Sequence, residues 1–409
     1  MYDMRDNSVE EVMDDTLKLL RELGVAFDEL DRIKFYQIMK SKDKLTGKSA
    51  VSCDIEKGEV VFVETDIKEE DWTMPVYVDR LSSDSLMTLN VENCKIKSLL
   101  PYELDCSTFF KNMSVNKCFD TSEFDFSLTK DVSYTYSSMT LDKLVVNLNF
   151  PNARTVTSMF LFSYIKQLEI TEFNLPEAES AENLFDGLST ESVSFNDITF
   201  PKVSEVTSMF SLKVNRIALR NLKFPKVTML YSIFSGLTIL ETGVLALVLE
   251  GIEFPNATSV YRLFESADVR AFTVDLRGIR IGKAGSSVIE DATFRGATFS
   301  SLTPYPIDTT GVKSYLFDRC SINGVLDLCE WLDKADLDHI TFENCFLDAR
   351  INVVDIRTWS VELVKKVLDC GLYFFDGEIK VIYVGTEDVK NLLYSVFAGG
   401  VEMPKIVIK

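Results

Sequence analysis

The chain has 409 residues, 46% hydrophobic and 26% charged, which is enough apolar material for a core and no compositional sign of disorder. Forty-three Lys and Arg stand against 63 Asp and Glu, a formal net charge of -20. So acidic a surface repels phosphate backbones and anionic head groups, which argues against nucleic acid or membrane surfaces and leaves protein as the expected partner.

Met1 to Glu10 is polar and acidic, with neither the basic start nor the apolar stretch of a secretory signal. A cytoplasmic location is therefore expected, or the inside of a host cell were the chain encoded by a virus. Residues 1–80 read as a small α+β cap. Ser8 and Glu11 make a capping box, and Val9, Val12, Met13, Thr16, Leu17, Leu20 and Leu23 line one helical face that Gly24 ends. A second helix is expected from Asp28 to about Lys40, and a β-hairpin from Ala50–Ile55 and Glu59–Thr65 joined through Glu56-Lys57-Gly58. Glu69-Glu70-Asp71 reads as a solvated loop.

Residues 81–310 carry a repeat. Phe150-Pro151, Leu175-Pro176, Phe200-Pro201, Phe224-Pro225 and Phe254-Pro255 follow one another at 25, 25, 24 and 30 residues. Eight, six, three and one residues before each of the last four prolines are apolar, as in Ile217, Leu219, Leu222 and Phe224. So are two, five, eight and nine residues after it, as in Val203, Val206, Met209 and Phe210. Weaker copies follow Leu100-Pro101 and Phe126-Ser127, and Gly282 replaces the proline ahead of Ala292 and Phe294 with a three-residue insertion. Alternation by two before the proline predicts a strand that the proline ends; spacing by three after it predicts a helical or 3₁₀ turn. Such a unit cannot bury its own apolar side, so copies must stack and their phenylalanines form an internal column.

Residues 311–409 read as longer helix-strand units and a cap continuing the stack, with a separate α/β domain as the alternative. Helices are expected at Val325–Leu332, Val361–Leu368 and Val389–Val396, and strands at Ile340–Phe342, Ile379–Val384 and Lys405–Ile408. The fold class expected is therefore α/β: a leucine-rich-repeat-like solenoid of stacked strand-turn units.

Val156-Thr157-Ser158-Met159-Phe160 and Val206-Thr207-Ser208-Met209-Phe210 resemble the BspA-type leucine-rich repeat, over a little more than half of the chain. The resemblance implies a solenoid and carries no catalytic residues. The asparagine of ordinary leucine-rich repeats is replaced here by Phe173, Ile198, Leu222 and Ile252, so no asparagine ladder is expected at that position. Family members are often surface adhesins, a role for which this N-terminus offers no signal.

Eight cysteines, Cys53, Cys94, Cys106, Cys118, Cys320, Cys329, Cys345 and Cys370, include no Cys-x-x-Cys pair and read as buried free thiols. The sharper reading is a metal site from Cys320, Cys329, His339 and Cys345. There is no Gly-rich phosphate loop, nucleophile elbow or zinc-binding helix motif, and His339 is the single histidine. No catalytic residue, cofactor or metal is therefore assigned. The outward strand positions put Arg220 and Lys223, Glu250 and Glu253, then Arg277 and Arg280 on successive repeats. This row is either a self-neutralised solvated face or the face that recognises a protein. The function expected is non-enzymatic protein binding or scaffolding. The alternatives are a structural or surface component of a larger particle such as a virion, or an adhesin, and third an enzyme whose site is invisible in sequence.

Overall fold

The computed structural model describes residues 110, 114–124, 126–243, 246–397 and 403–409, and ahead of these the strand backbones at 2–3, 50–54, 59–63, 65–67, 76–78, 89–91 and 93–98. The helices expected within residues 8–40 and the loop at 69–71 lie outside the described residues. Two compact units are present, one of Met1–Ala178 with Gly187–Glu191 and one of Glu179–Asp186 with Ser192–Lys409.

In the first unit the expected hairpin is formed, Ala50–Asp54 pairing antiparallel with Glu59–Val63. Beyond it the pairing turns parallel. Val76–Val78, Asn93–Ser98, Ser114–Glu123, Thr140–Asn149 and Tyr164–Asn174 lie side by side, each strand against the next along the chain. Leu144, Val146 and Leu148 point inward and are fully buried, and the Phe110, Tyr136 and Phe160 rings stack at 5.4 and 5.3 Å.

The second unit is a stack of the same kind, and its two larger sheets are parallel. One is made of longer strands, among them Lys213–Arg220, Leu247–Glu250, Ser321–Asp327, Arg350–Ile356, Glu378–Val384 and Lys405–Ile408. The other is made of six short strands, one per turn: β1 (Glu205–Thr207), β2 (Met229–Tyr231), β3 (Ser259–Tyr261), β4 (Ile289–Asp291), β5 (Gly311–Ser314) and β6 (Ile340–Glu343). They pair in that order. The expected phenylalanine column is present: Phe185, Phe210, Phe234, Phe264, Phe294, Phe317 and Phe346 stack face to face with centroids 4.8–5.9 Å apart. Offset stacking of this kind adds about 0.5–1.5 kcal/mol per pair beyond the area it buries.

The segment after each proline corrects the expected helical turn. Val206 sits in a short strand, and the three-residue step to Met209 comes from a left-handed residue, Ser208, at φ 47°. Ser232, Arg262, Ala292, Tyr315 and Asn344 occupy the same corner of later turns, all with φ between 49° and 57°. Their amides bond to the next turn (Ser208 N to Tyr231 O, Ser232 N to Tyr261 O, Arg262 N to Asp291 O), where a helix would bond locally. The strand ahead of the proline bends in the same way at Asp197, Asn221 and Gly251, with φ of 58°, 54° and 64°. A step of three in the apolar pattern therefore marks a kink in an extended chain, because the left-handed residue lets the inward positions on either side of it stay inward.

Near the C-terminus the return segments become helical, as expected. Helices α1 (Val361–Asp369) and α2 (Glu387–Phe397) alternate with the strands at 378–384 and 405–408. Ser360 caps α1, its hydroxyl accepting from Leu363 N at 3.1 Å. The helix expected at 325–332 is not formed: Val325 and Leu326 pair with Val353 and Val354, and the Asp327 carboxylate accepts Cys329 N at 3.1 Å in a turn that ends the strand. Leu326 and Leu328, two residues apart and both buried, follow the strand period.

Candidate functional site

The charged row anticipated from the sequence lies in the second unit, and most of it pairs with itself. Arg220 and Glu250 are level on adjacent strands, Nε to Oε2 3.1 Å, and Glu253 and Arg280 are level on the next pair, 3.5 Å apart. Lys223 lies between Thr199 and Glu253 in the stack and makes no ion pair among the described residues. Arg277 breaks the pattern. It turns back to Asp275 at 2.7 Å and reaches Glu330 at 3.1 Å, and the two carboxylates hold its proton more tightly than usual. Asp275 is correspondingly more acidic than an ordinary carboxyl, because Arg277 donates to it. Asp275 and Glu330 were not among the expected residues; the signal was the Asp-x-Arg spacing, repeated at Asp355 and Arg357. Exposed pairs of this kind contribute about 0–1 kcal/mol each, and a guanidinium already engaged offers less to a partner.

The cysteines do not assemble the metal site considered above. Cys320 and Cys345 are fully buried, and burial pushes both thiols far above their ordinary value. His339 is on the surface, its Nδ1 3.0 Å from Asp336. Among the described residues the set whose ligand atoms converge within 4.8 Å is Asp327, Cys329 and Asp355. Its chemistry suits a closed hydrogen-bond set better than a cation. Arg357 grips both oxygens of Asp355, at 2.9 and 2.8 Å, and Cys329 donates to Asp355 Oδ1 at 3.4 Å. Burial first, then the nearby carboxylates, pushes the Cys329 thiol up to about 11, so it stands as a donor rather than as a thiolate ligand.

Among the described residues the interior holds a charged cluster around Glu290 and Lys313 that sequence reasoning missed. Down the inward column of the short-strand sheet run Val206, Leu230, Val260, Glu290, Lys313 and Phe342. Lys313 Nζ is 3.1 Å from Glu290 Oε1, and the two residues are 0% and 3% exposed. Lys313 also donates to Val288 O and Thr309 Oγ1, while Tyr305 donates to Glu290 Oε2 at 3.0 Å. Burial, then the Glu290 charge, raises Tyr305 well above an ordinary phenol, which keeps it a donor. The positions were recoverable once the three-residue insertion before Ala292 is counted. So enclosed a cluster is almost wholly shut off from solvent, as a structural cluster would be.

The outer face of the same sheet is different in kind. Two columns point outward from β1 to β6: Glu205, Met229, Ser259, Ile289, Val312, Thr341, and Thr207, Tyr231, Tyr261, Asp291, Ser314, Glu343. Met229 is 53% exposed and Ile289 48%, and Tyr231 and Val312 are exposed beside them. The Tyr231 and Tyr261 rings are 6.5 Å apart, and Arg262 donates to the Tyr231 hydroxyl at 3.5 Å. Several exposed apolar side chains gathered on one sheet face are a feature of contact surfaces.

No family model matches the sequence, and no curated protein and no solved structure matches it. Among the described residues no helix is long and apolar enough to cross a membrane.

Proposed function

We propose that the protein is a non-enzymatic binding or scaffolding solenoid whose contact surface is the outer face of the short-strand sheet, β1 to β6. The observation that carries this reading is the exposure of Met229, Tyr231, Ile289 and Val312 on one parallel sheet. A rigid sheet holds these side chains at fixed spacing, so little conformational entropy is lost when a partner covers them. The charged row offers less, because Arg220, Glu250, Glu253 and Arg280 already satisfy one another. Affinity purification from the native source with mass spectrometry tests the proposal, using the wild type beside a Tyr231→Glu/Ile289→Glu variant. Proteins retained by the wild type and lost with the variant support it. Equal recovery with both would place binding elsewhere on the molecule.

A further inference from the structure

We infer that the outer face of the short-strand sheet is covered by the same face of a second copy of this chain, related by a twofold axis parallel to the strands. The inference rests on the reading of this face as the contact surface and names its occupant. Such an axis keeps each outward column over itself and reverses the order of the turns, so β1 meets β6, β2 meets β5 and β3 meets β4 of the other copy. With the register of the six strands, this sets Met229 against Val312, Ser259 against Ile289 and Glu205 against Thr341. In the second column it sets Tyr231 against Ser314, Tyr261 against Asp291 and Thr207 against Glu343. Apolar side chains meet apolar or small ones, and each carboxylate meets a hydroxyl.

The flank of the sheet carries the charge complementarity. Three residues before the first column stand the exposed Lys202 on the β1 turn and Lys226 on the β2 turn, while Asp338 stands at that position on the β6 turn. Asp308, four residues before Val312, lies on the β5 turn. The flank is thus basic at one end and acidic at the other, and reversing the turns brings Lys226 to Asp308, while Asp338 is held by Lys366 of its own copy at 3.1 Å. A twofold axis along the stack would instead reverse the strands over one another, setting Ile289 against Asp291 within one turn and carrying the charged flanks of the two copies to opposite edges, where they do not meet. The strand-parallel axis is the one that brings the basic and acidic ends of the flank together.

Five strand spacings of about 4.8 Å give a strip about 24 Å long, and facing sheets pack about 10 Å apart. A strip that short buries less than a standard interface, so association is expected to be weak and concentration-dependent.

The full chain is tested by sedimentation velocity from about 1 to about 100 µM, the range in which an interface of this size associates. The wild type is expected to pass from monomer to dimer. Two variants, M229K/V312K and M229E/V312E, change outward side chains alone, and circular dichroism checks that each stays folded. Each by itself is expected to dimerise at least about tenfold more weakly, because like charges meet twice across the axis. Mixed in equal amounts they are expected to restore a heterodimer, read by native mass spectrometry, because every 229–312 contact then joins opposite charges. A wild type monomeric throughout, variants that dimerise as the wild type does, or a mixture that stays monomeric would each overturn the inference. If the wild type is monomeric yet retains a different protein that M229K/V312K loses, the homotypic inference falls and the contact-surface reading stands. If neither a dimer nor such a partner is found, both fall.

Discussion

Glu290 and Lys313 face each other on adjacent turns, Oε1 to Nζ 3.1 Å, at inward positions that the neighbouring turns give to Val260 and Phe342. Two charges thus replace two core side chains, at a point where the chain also carries an insertion. Removing both from water costs several kcal/mol per ion, and the partners present (Tyr305, Thr309 and Val288 O) are those needed to offset it.

Breaking this pair one side at a time is expected to be severe. Lys313→Met leaves Glu290 buried without its cation and should lower unfolding stability by about 3–5 kcal/mol. Glu290→Leu together with Lys313→Met restores an apolar column and should return most of that loss. Chemical denaturation of the two variants and the wild type measures both numbers. A double variant as unstable as the single one would mean that the pair organises more than its own column.

Arg319 sits in a left-handed corner at φ 52°, where Gly236 and Gly296 stand in other turns at 69° and 65°. A side chain there costs about 1–2 kcal/mol, against about 0.5–1 kcal/mol lost when glycine gains freedom in the unfolded chain. Arg319→Gly should therefore raise stability by up to about 1 kcal/mol, seen as a higher denaturation midpoint. Its 3.7 Å contact with Asp318 is minor, since Arg295 holds that carboxylate at 2.9 Å. A fall in the midpoint would show that the Arg319 side chain does more than tolerate the corner.

Reversing the charged row should have little effect. Arg220→Glu/Lys223→Glu sets carboxylates beside Glu250 and Glu253, which should reduce stability by about 1 kcal/mol or less, more at low salt than at high. Association through the short-strand sheet should be unchanged in the same samples. Lost association with an intact melting curve would move the contact surface to the row.

The repeat, its register and the phenylalanine column were legible because burial imposes a strict apolar pattern on every turn. Phe210, Phe234 and Phe264 fall in one column since each must cover the last. What the pattern could not show was the local backbone. A step of three, as from Val206 to Met209, is the same in a helical turn and in an extended chain with one left-handed residue, and the choice between them is made by bonds to the next turn. For the same reason Val325–Leu332 read as a helix although its strand is fixed by the neighbouring Val353 and Val354. The charged row was legible down to two of its ion pairs, Arg220 with Glu250 and Glu253 with Arg280. Arg277 was not, because its partner Glu330 lies 53 residues away. The outward columns of the short-strand sheet escaped notice because Met229, Tyr231 and Ile289 occupy positions that vary from turn to turn and leave no repeat.

Hydroxyl-radical footprinting tests the central claim most directly, since Met229, Tyr231 and Tyr261 carry the readily oxidised side chains of the face. Oxidation is compared between the dilute protein and the protein in its associated form, whatever the partner. The account predicts that Met229 and Tyr231 become protected together on association, while Phe272, exposed away from the short-strand sheet, is oxidised at the same rate in both. Association that leaves Met229 and Tyr231 as reactive as in the dilute protein would contradict it.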